Sequence, residues 1–255
     1  MKRRLLILST ITCLTLLALV PLAMSAWALS ILRAEEGHRT KVVWGVPKPL
    51  QQQFLKKFIA PKNFKWRPYS LTIGGSVSNA EQLAAALPWL PGTVKKMTIL
   101  IHDDADALKV YHASMQLDEL EHFAFTGAEL DPKSIAELKR LPQLKTLTLQ
   151  WAPDDLREFP KLPALEHAFL SVKTVKPESL ARVYACPKLK RLQILGKSMT
   201  LAELQAFDWR HSSLQELILG SVQATDAELG ALLADIKKQA PTLKVLYMNN
   251  GPKKK

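Results

Sequence analysis

The sequence is short of cysteine, with two residues in 255. Cys13 lies in a leading apolar stretch, so Cys186 stands alone in the body and no internal disulfide can staple the chain. No paired His or Asn motif marks Cys186 as a nucleophile. It precedes Pro187 and Leu189 at a repeat boundary and reads as a buried structural thiol. Glycine is modest at 10 residues, and none of it forms a phosphate-cradling loop. H-E-x-x-H and G-x-S-x-G are also missing, so the sequence implies no catalytic residue, no metal set and no cofactor. His102-Asp103-Asp104-Ala105-Asp106 lacks the glycine and distal glutamate of a calcium loop, and reads as a solvated turn opening a helix.

There is no block of one charge either. The formal net charge is +12; Lys2, Arg3 and Arg4 account for 3 of it, leaving +9 for the rest. Acidic residues are interleaved with the basic ones. An arginine-rich arm and an aromatic–basic alternation are both absent, so the charge reads as a basic surface and not as a nucleic-acid site.

What is present begins with a targeting segment. Lys2-Arg3-Arg4 is a positive start, Leu5 to Met24 is almost unbroken apolar sequence, and Ala26-Trp27-Ala28 places small residues at the −3 and −1 positions of a cleavage site. That order describes a secretory signal peptide over residues 1–28. The apolar stretch 5–32 is also long enough to span a bilayer, which takes about 20 residues, so an uncleaved membrane anchor is the rival reading. Either way the positive charges stay inside and the body is exported: periplasmic or inner-membrane-anchored in a Gram-negative cell, secreted otherwise.

The body repeats. Val94–Ile99, Leu120–Phe125, Leu144–Leu149, Leu165–Leu170, Leu189–Ile194, Leu214–Leu219 and Leu243–Met248 each read L-x-x-L-x-L with apolar replacements. Their first positions are 26, 24, 21, 24, 25 and 29 residues apart. Tyr69–Ile73 is a degenerate copy. In an extended segment alternate side chains face one way, so the second and third leucines of each motif share a core. Between motifs, 79–87, 132–141, 177–184 and 226–234 have helical apolar spacing, and 153–163 has room for only a turn or two of helix. Pro142, Pro163, Pro187 and Pro241 end the returns just before the next motif.

The residue after each first leucine runs Lys95, Glu121, Lys145, Glu166, Lys190, Gln215, Lys244. Neighbouring strands lie about 4.8 Å apart, so this alternation pairs opposite charges along one sheet edge. His122 and His167 fall two strands apart, too far to share one metal ion.

The array over residues 66–250 resembles the leucine-rich repeat superfamily, in an irregular, exported bacterial form. The resemblance implies an α/β solenoid with a parallel sheet on the concave face and short helices on the convex face. It departs from the family where an asparagine or cysteine is usual; this chain has Ala128, Ala152, Lys173, Lys197, Val222 and Gly251. Residues 29–65 read as a linker with an N-terminal capping helix over 47–59, and 251–255 as a basic tail.

The family usually binds on its concave face, whose central row here runs Thr98, Ala124, Thr148, Phe169, Gln193, Ile218, Tyr247. The expected partner-binding residues are Phe169, Arg191, Leu195, Ile218, Val245 and Tyr247, aromatic and aliphatic anchors of the kind protein interfaces use. The implied function is a non-enzymatic protein-binding protein of the cell envelope, with a secreted effector or toxin-neutralising protein as the second reading. The partner is a protein and not a nucleic acid. The uncapped carboxy-terminal strand is a candidate for self-association by strand addition.

Overall fold

The computed structural model describes residues 23–32, 41–45, 67–75, 80–90, 94–153, 156–172, 176–205, 207–210 and 213–248. Nine strands form one sheet in sequence order: β1 (Lys41–Gly45), β2 (Arg67–Gly75), β3 (Lys96–Ile101), β4 (His122–Phe125), β5 (Thr146–Leu149), β6 (His167–Val172), β7 (Arg191–Thr200), β8 (Glu216–Gln223) and β9 (Lys244–Met248). β1 runs antiparallel to β2, and β2 to β9 are parallel. A parallel sheet in strict sequence order, with helical returns, is an α/β solenoid in which each repeat meets only its neighbours.

The returns contain α2 (Ala80–Ala86), α3 (Asp104–Ser114), α4 (Pro132–Glu137), α5 (Pro177–Tyr184), α6 (Leu201–Gln205) and α7 (Asp226–Gln239); an earlier helix, α1, occupies residues 23–32. Local chemistry sets where they start. The Asp103 carboxylate accepts from the Asp106 amide at 3.0 Å and Asp131 from Ser134 at 2.7 Å, while Thr225 and Glu228 form a reciprocal capping box. Asp103 therefore caps α3, as the solvated-turn reading expects. Between β5 and β6 the described residues make a turn and no helix, which corrects the turn or two expected over 153–163.

Five of the returns close by a tight turn in which a backbone N–H donates to the carbonyl three residues back: Leu120 to Leu117, Leu144 to Leu141, Leu165 to Leu162, Leu189 to Cys186 and Leu243 to Ala240, at 3.0–3.4 Å. In the last four, proline sits second in the turn, where its fixed φ suits the geometry and its missing N–H is not needed. The expected role of Pro142, Pro163, Pro187 and Pro241 thus has a specific mechanism.

Two rows of side chains fill the core. Leu71, Met97, Phe123, Leu147, Ala168, Leu192 and Leu217 are neighbours from strand to strand, and so are Ile73, Ile99, Phe125, Leu149, Leu170, Ile194 and Leu219. All are buried. Each of the leucine, isoleucine, methionine and phenylalanine side chains contributes about 1.5–3 kcal/mol by leaving water. Tyr111 of α3 packs on Phe123 and Phe125, with ring centroids 5.8 and 5.0 Å away, which places that helix over the same face. Ala128, Ala152 and Val222 are buried, so small apolar groups stand where an asparagine ladder is usual. Between β7 and β8 the helix is short, and Tyr184, Phe207 and Trp209 fill the space edge to face at 4.7–6.2 Å.

The two ends differ from expectation. Of the stretch read as a linker and capping helix, residues 29–32 belong to α1 and 41–45 form β1, which covers the first edge of the sheet. The helix expected over 47–59, the apolar run 5–22 and the tail 251–255 lie outside the described residues. Among the described residues no helix is long and apolar enough to cross a membrane. At the other end β9 is slipped by one residue. Val245, not Leu246, lies opposite Leu217, and Leu219 faces Tyr247. Because side chains alternate with period two, this slip exchanges the faces of the whole strand.

Candidate functional site

The face of the sheet turned away from the core has a central row of Thr72, Thr98, Ala124, Thr148, Phe169, Gln193, Ile218 and Leu246. On the side where the strands begin, the next row is Ser70, Lys96, His122, Thr146, His167, Arg191, Glu216 and Lys244. Both rows follow the expected order as far as β8 and change at β9. The expected placement of Val245 and Tyr247 on this face is therefore corrected. Both pack against the core, and the Tyr247 hydroxyl donates to the Val222 carbonyl at 3.3 Å.

The six residues expected to bind a partner are not brought together. Phe169 and Leu195 are half-buried on adjacent strands. Arg191 is exposed and paired with Glu216, Nε to Oε2 2.9 Å. Ile218 lies in the central row yet is only 4% exposed. Leu195 leans over Gly220: a Cβ built on that glycine would stand 2.3 Å from Leu195 Cδ2.

The sequence reading missed a cleft where β2 to β5 end. It has a volume of about 550 Å³ and is walled by Leu100, His102, Thr126, Gln150 and Trp151, with Gly74, Ile101 and Gly127 completing the lining. Trp151 is 44% exposed and Leu100 is exposed beside it. The Trp151 backbone is left-handed, with φ 64°, a conformation that costs a bulky residue about 1–3 kcal/mol. Gly127 is needed for a different reason. A Cβ there would meet Ala107 Cβ at 2.7 Å and the Ile101 carbonyl at 2.8 Å, so only glycine lets this loop lie against the end of β3. A sequence signal for the cleft existed: Trp151 stands two residues past Leu149, the third leucine of its motif, beyond the positions that fill the core rows.

Charge is organised at the opposite ends of the strands. Glu121 pairs with Lys95 at 3.7 Å and with Lys145 at 2.7 Å, and Lys190 pairs with Glu166 at 2.8 Å. The alternation of lysine and glutamate is thus a structural ladder. Hydrogen bonds from Lys145 and Lys190 hold the Glu121 and Glu166 carboxyls below the usual carboxylate range. Burial, and then the Lys96 charge, push the His122 imidazole below its ordinary value. His122 and His167 are separated by Thr146, as expected. Among the described residues no three His, Cys, Asp or Glu gather at metal-holding distance. Burial pushes the Cys186 thiol up, which keeps it from ionising to the reactive thiolate.

The cleft joins an exposed indole and an aliphatic side chain to an imidazole, a hydroxyl and an amide. Such a set can bury an apolar side chain while hydrogen-bonding a peptide backbone.

No protein-family model matches the chain, and no curated protein matches it significantly. Among solved structures, an internalin from Listeria monocytogenes is similar over 80% of this chain and 68% of its own, at 14% identity and a TM-score of 0.44. The solenoid assignment rests on the strand order and register of this chain itself.

Proposed function

We propose that this chain is a non-enzymatic, protein-binding repeat protein of the cell envelope, held in or released from the membrane through residues 5–32, with its partner on the concave face of the solenoid. The observation that carries this reading is the convergence of exposed Trp151 and Leu100 on one cleft at the edge of the sheet face away from the core. Phe169, next to Thr148 in the central row, and Arg191 and Leu195 on β7 extend the same surface along the array. Exposed aromatic and aliphatic anchors beside polar groups are the usual composition of a protein-binding surface.

The test uses the full chain in intact cells, with a photo-crosslinking residue in place of Gln150 or of Glu178. Gln150 lines the cleft, and Glu178 is exposed on α5. A protein adduct formed from position 150 and absent from position 178 is the expected result. It should disappear in the Leu100→Ala/Trp151→Ala variant, whose circular dichroism should match the parent. Equal labelling from both positions, or a double variant that labels as well as the parent, overturns the assignment.

A further inference from the structure

The helix α1 is built into the solenoid. Ala28 and Leu32, four residues apart and so on one helix face, are fully buried in the core, and Leu29 and Ile31 pack against it. Ser25 Oγ donates to the Trp89 carbonyl at 2.9 Å. That contact sets α1 beside the helical turn Leu87–Trp89, at the start of the repeat array. A signal peptidase cutting after Ala28 would take Ala28 out of the core and leave only residues 29–32 of the helix. The fold uses the residues that the cleavage would remove.

The same corner carries two exposed indoles, Trp27 at 37% and Trp89 at 38%. The headgroup layer of a bilayer is where tryptophan is enriched, because it receives both the apolar ring and the polar N–H. The sequence leading into this corner points the same way. Residues 5–22 carry no charge, and as a helix they would rise about 27 Å, close to the ~30 Å hydrocarbon thickness. Pro21 stands at the join between that run and α1, a place where a helix can kink.

We infer that the solenoid is seated directly on a lipid surface: α1 is the retained juxtamembrane end of an uncleaved anchor, docked into the first repeat, with Trp27 and Trp89 in the headgroup layer. This inference rests on the membrane-held form of the function proposed above and adds to it a fixed orientation. A body docked through Ala28 and Leu32 cannot swing on a tether, so the array leaves the membrane at a set angle.

The experiment uses the full chain with its own first residues, recovered from membranes and reconstituted into phosphatidylcholine vesicles that carry lipid brominated near the headgroup. Intact mass should be that of the uncleaved chain. Tryptophan emission should fall on reconstitution by about a third, the share of two tryptophans among six. Trp27→Phe/Trp89→Phe, which keeps both sites apolar and folded by circular dichroism, should lose that quenching. A mature chain beginning at Leu29 and washing free of membranes overturns both the anchor and the seating. An intact, membrane-held chain quenched equally in parent and variant overturns the seating alone.

Discussion

Glu216 faces Lys244 across the last parallel pair, with Oε1 3.4 Å from Nζ. The leucine pattern would put Val245 there instead. The slip brings Lys244 into the row where Glu216 already accepts from Arg191, so one carboxylate serves cations on both neighbouring strands. Val245 and Tyr247 turn inward in exchange, and Leu246 is left exposed.

The slip makes the two faces of β9 distinguishable by mutation. Leu246→Ser should change unfolding free energy by no more than about 0.5 kcal/mol, as exposed positions do. Val245→Ala should cost about 1 kcal/mol, because the lost methyl groups pack against the core. Urea unfolding of the two variants measures both. The reverse order of costs would restore the register read from the leucines.

Glycines in this fold divide by what surrounds them. Gly127→Ala should destabilise by about 1–3 kcal/mol, since the new methyl meets a backbone carbonyl and a packed Cβ that cannot rotate away. Gly230 lies exposed in the interior of α7 with nothing within 4 Å of an added Cβ, so Gly230→Ala should stabilise by about 0.5–1 kcal/mol. Thermal unfolding should therefore move in opposite directions for these two identical substitutions.

The buried Tyr111 hydroxyl donates to the Ser134 carbonyl at 2.8 Å, and burial pushes its phenol far above the usual range. Tyr111→Phe keeps the ring contacts and removes that hydrogen bond, at a cost of about 0.5–1.5 kcal/mol. Parent and variant should keep the same free-energy difference from pH 6 to pH 9, because the phenol stays protonated throughout. A difference that varies with pH across that range would contradict the assignment.

The charge ladder has a pH signature. Lys145 holds the folded-state pKa of Glu121 below its ordinary 4.5. A depressed carboxylate stabilises the fold above the unfolded-state value, and that stabilisation is lost as pH falls through the folded-state value. Glu121→Gln should therefore lower Tm by about 1–2 °C at pH 7 and low salt, in keeping with a largely exposed pair. The gap between variant and parent should narrow as pH falls below 4.5 through the depressed folded-state value, and shrink in high salt. A gap that does not change with pH or with salt would mean that Glu121 acts through packing and not through charge.

The array was legible because two independent periods agree. Leucine spacing gives the strands, and the lysine–glutamate alternation gives their alignment from β3 to β7. Where only one of them operates, the reading fails. At β8 the alternation breaks at Gln215, and the apolar pattern alone cannot settle a one-residue slip in Leu243-Lys244-Val245-Leu246-Tyr247, where apolar residues occupy both faces. β1 is five residues with no repeat partner, so nothing in the spacing announces it. The cleft depends on Trp151 adopting a left-handed backbone and on Gly127 admitting close approach, and neither is a pattern in composition. Ile218 lies on the expected face, and its burial could not be read from strand periodicity, which fixes direction and not cover.

The ladder of Lys95, Glu121, Lys145, Glu166 and Lys190 also gives the array a parity. Removing one whole repeat would set lysine beside lysine or glutamate beside glutamate at the junction. Removing two adjacent repeats restores lysine beside glutamate. A chain that grows or shrinks by duplication under this constraint changes length in even steps, with a repeat pair, not a single repeat, as its heritable unit.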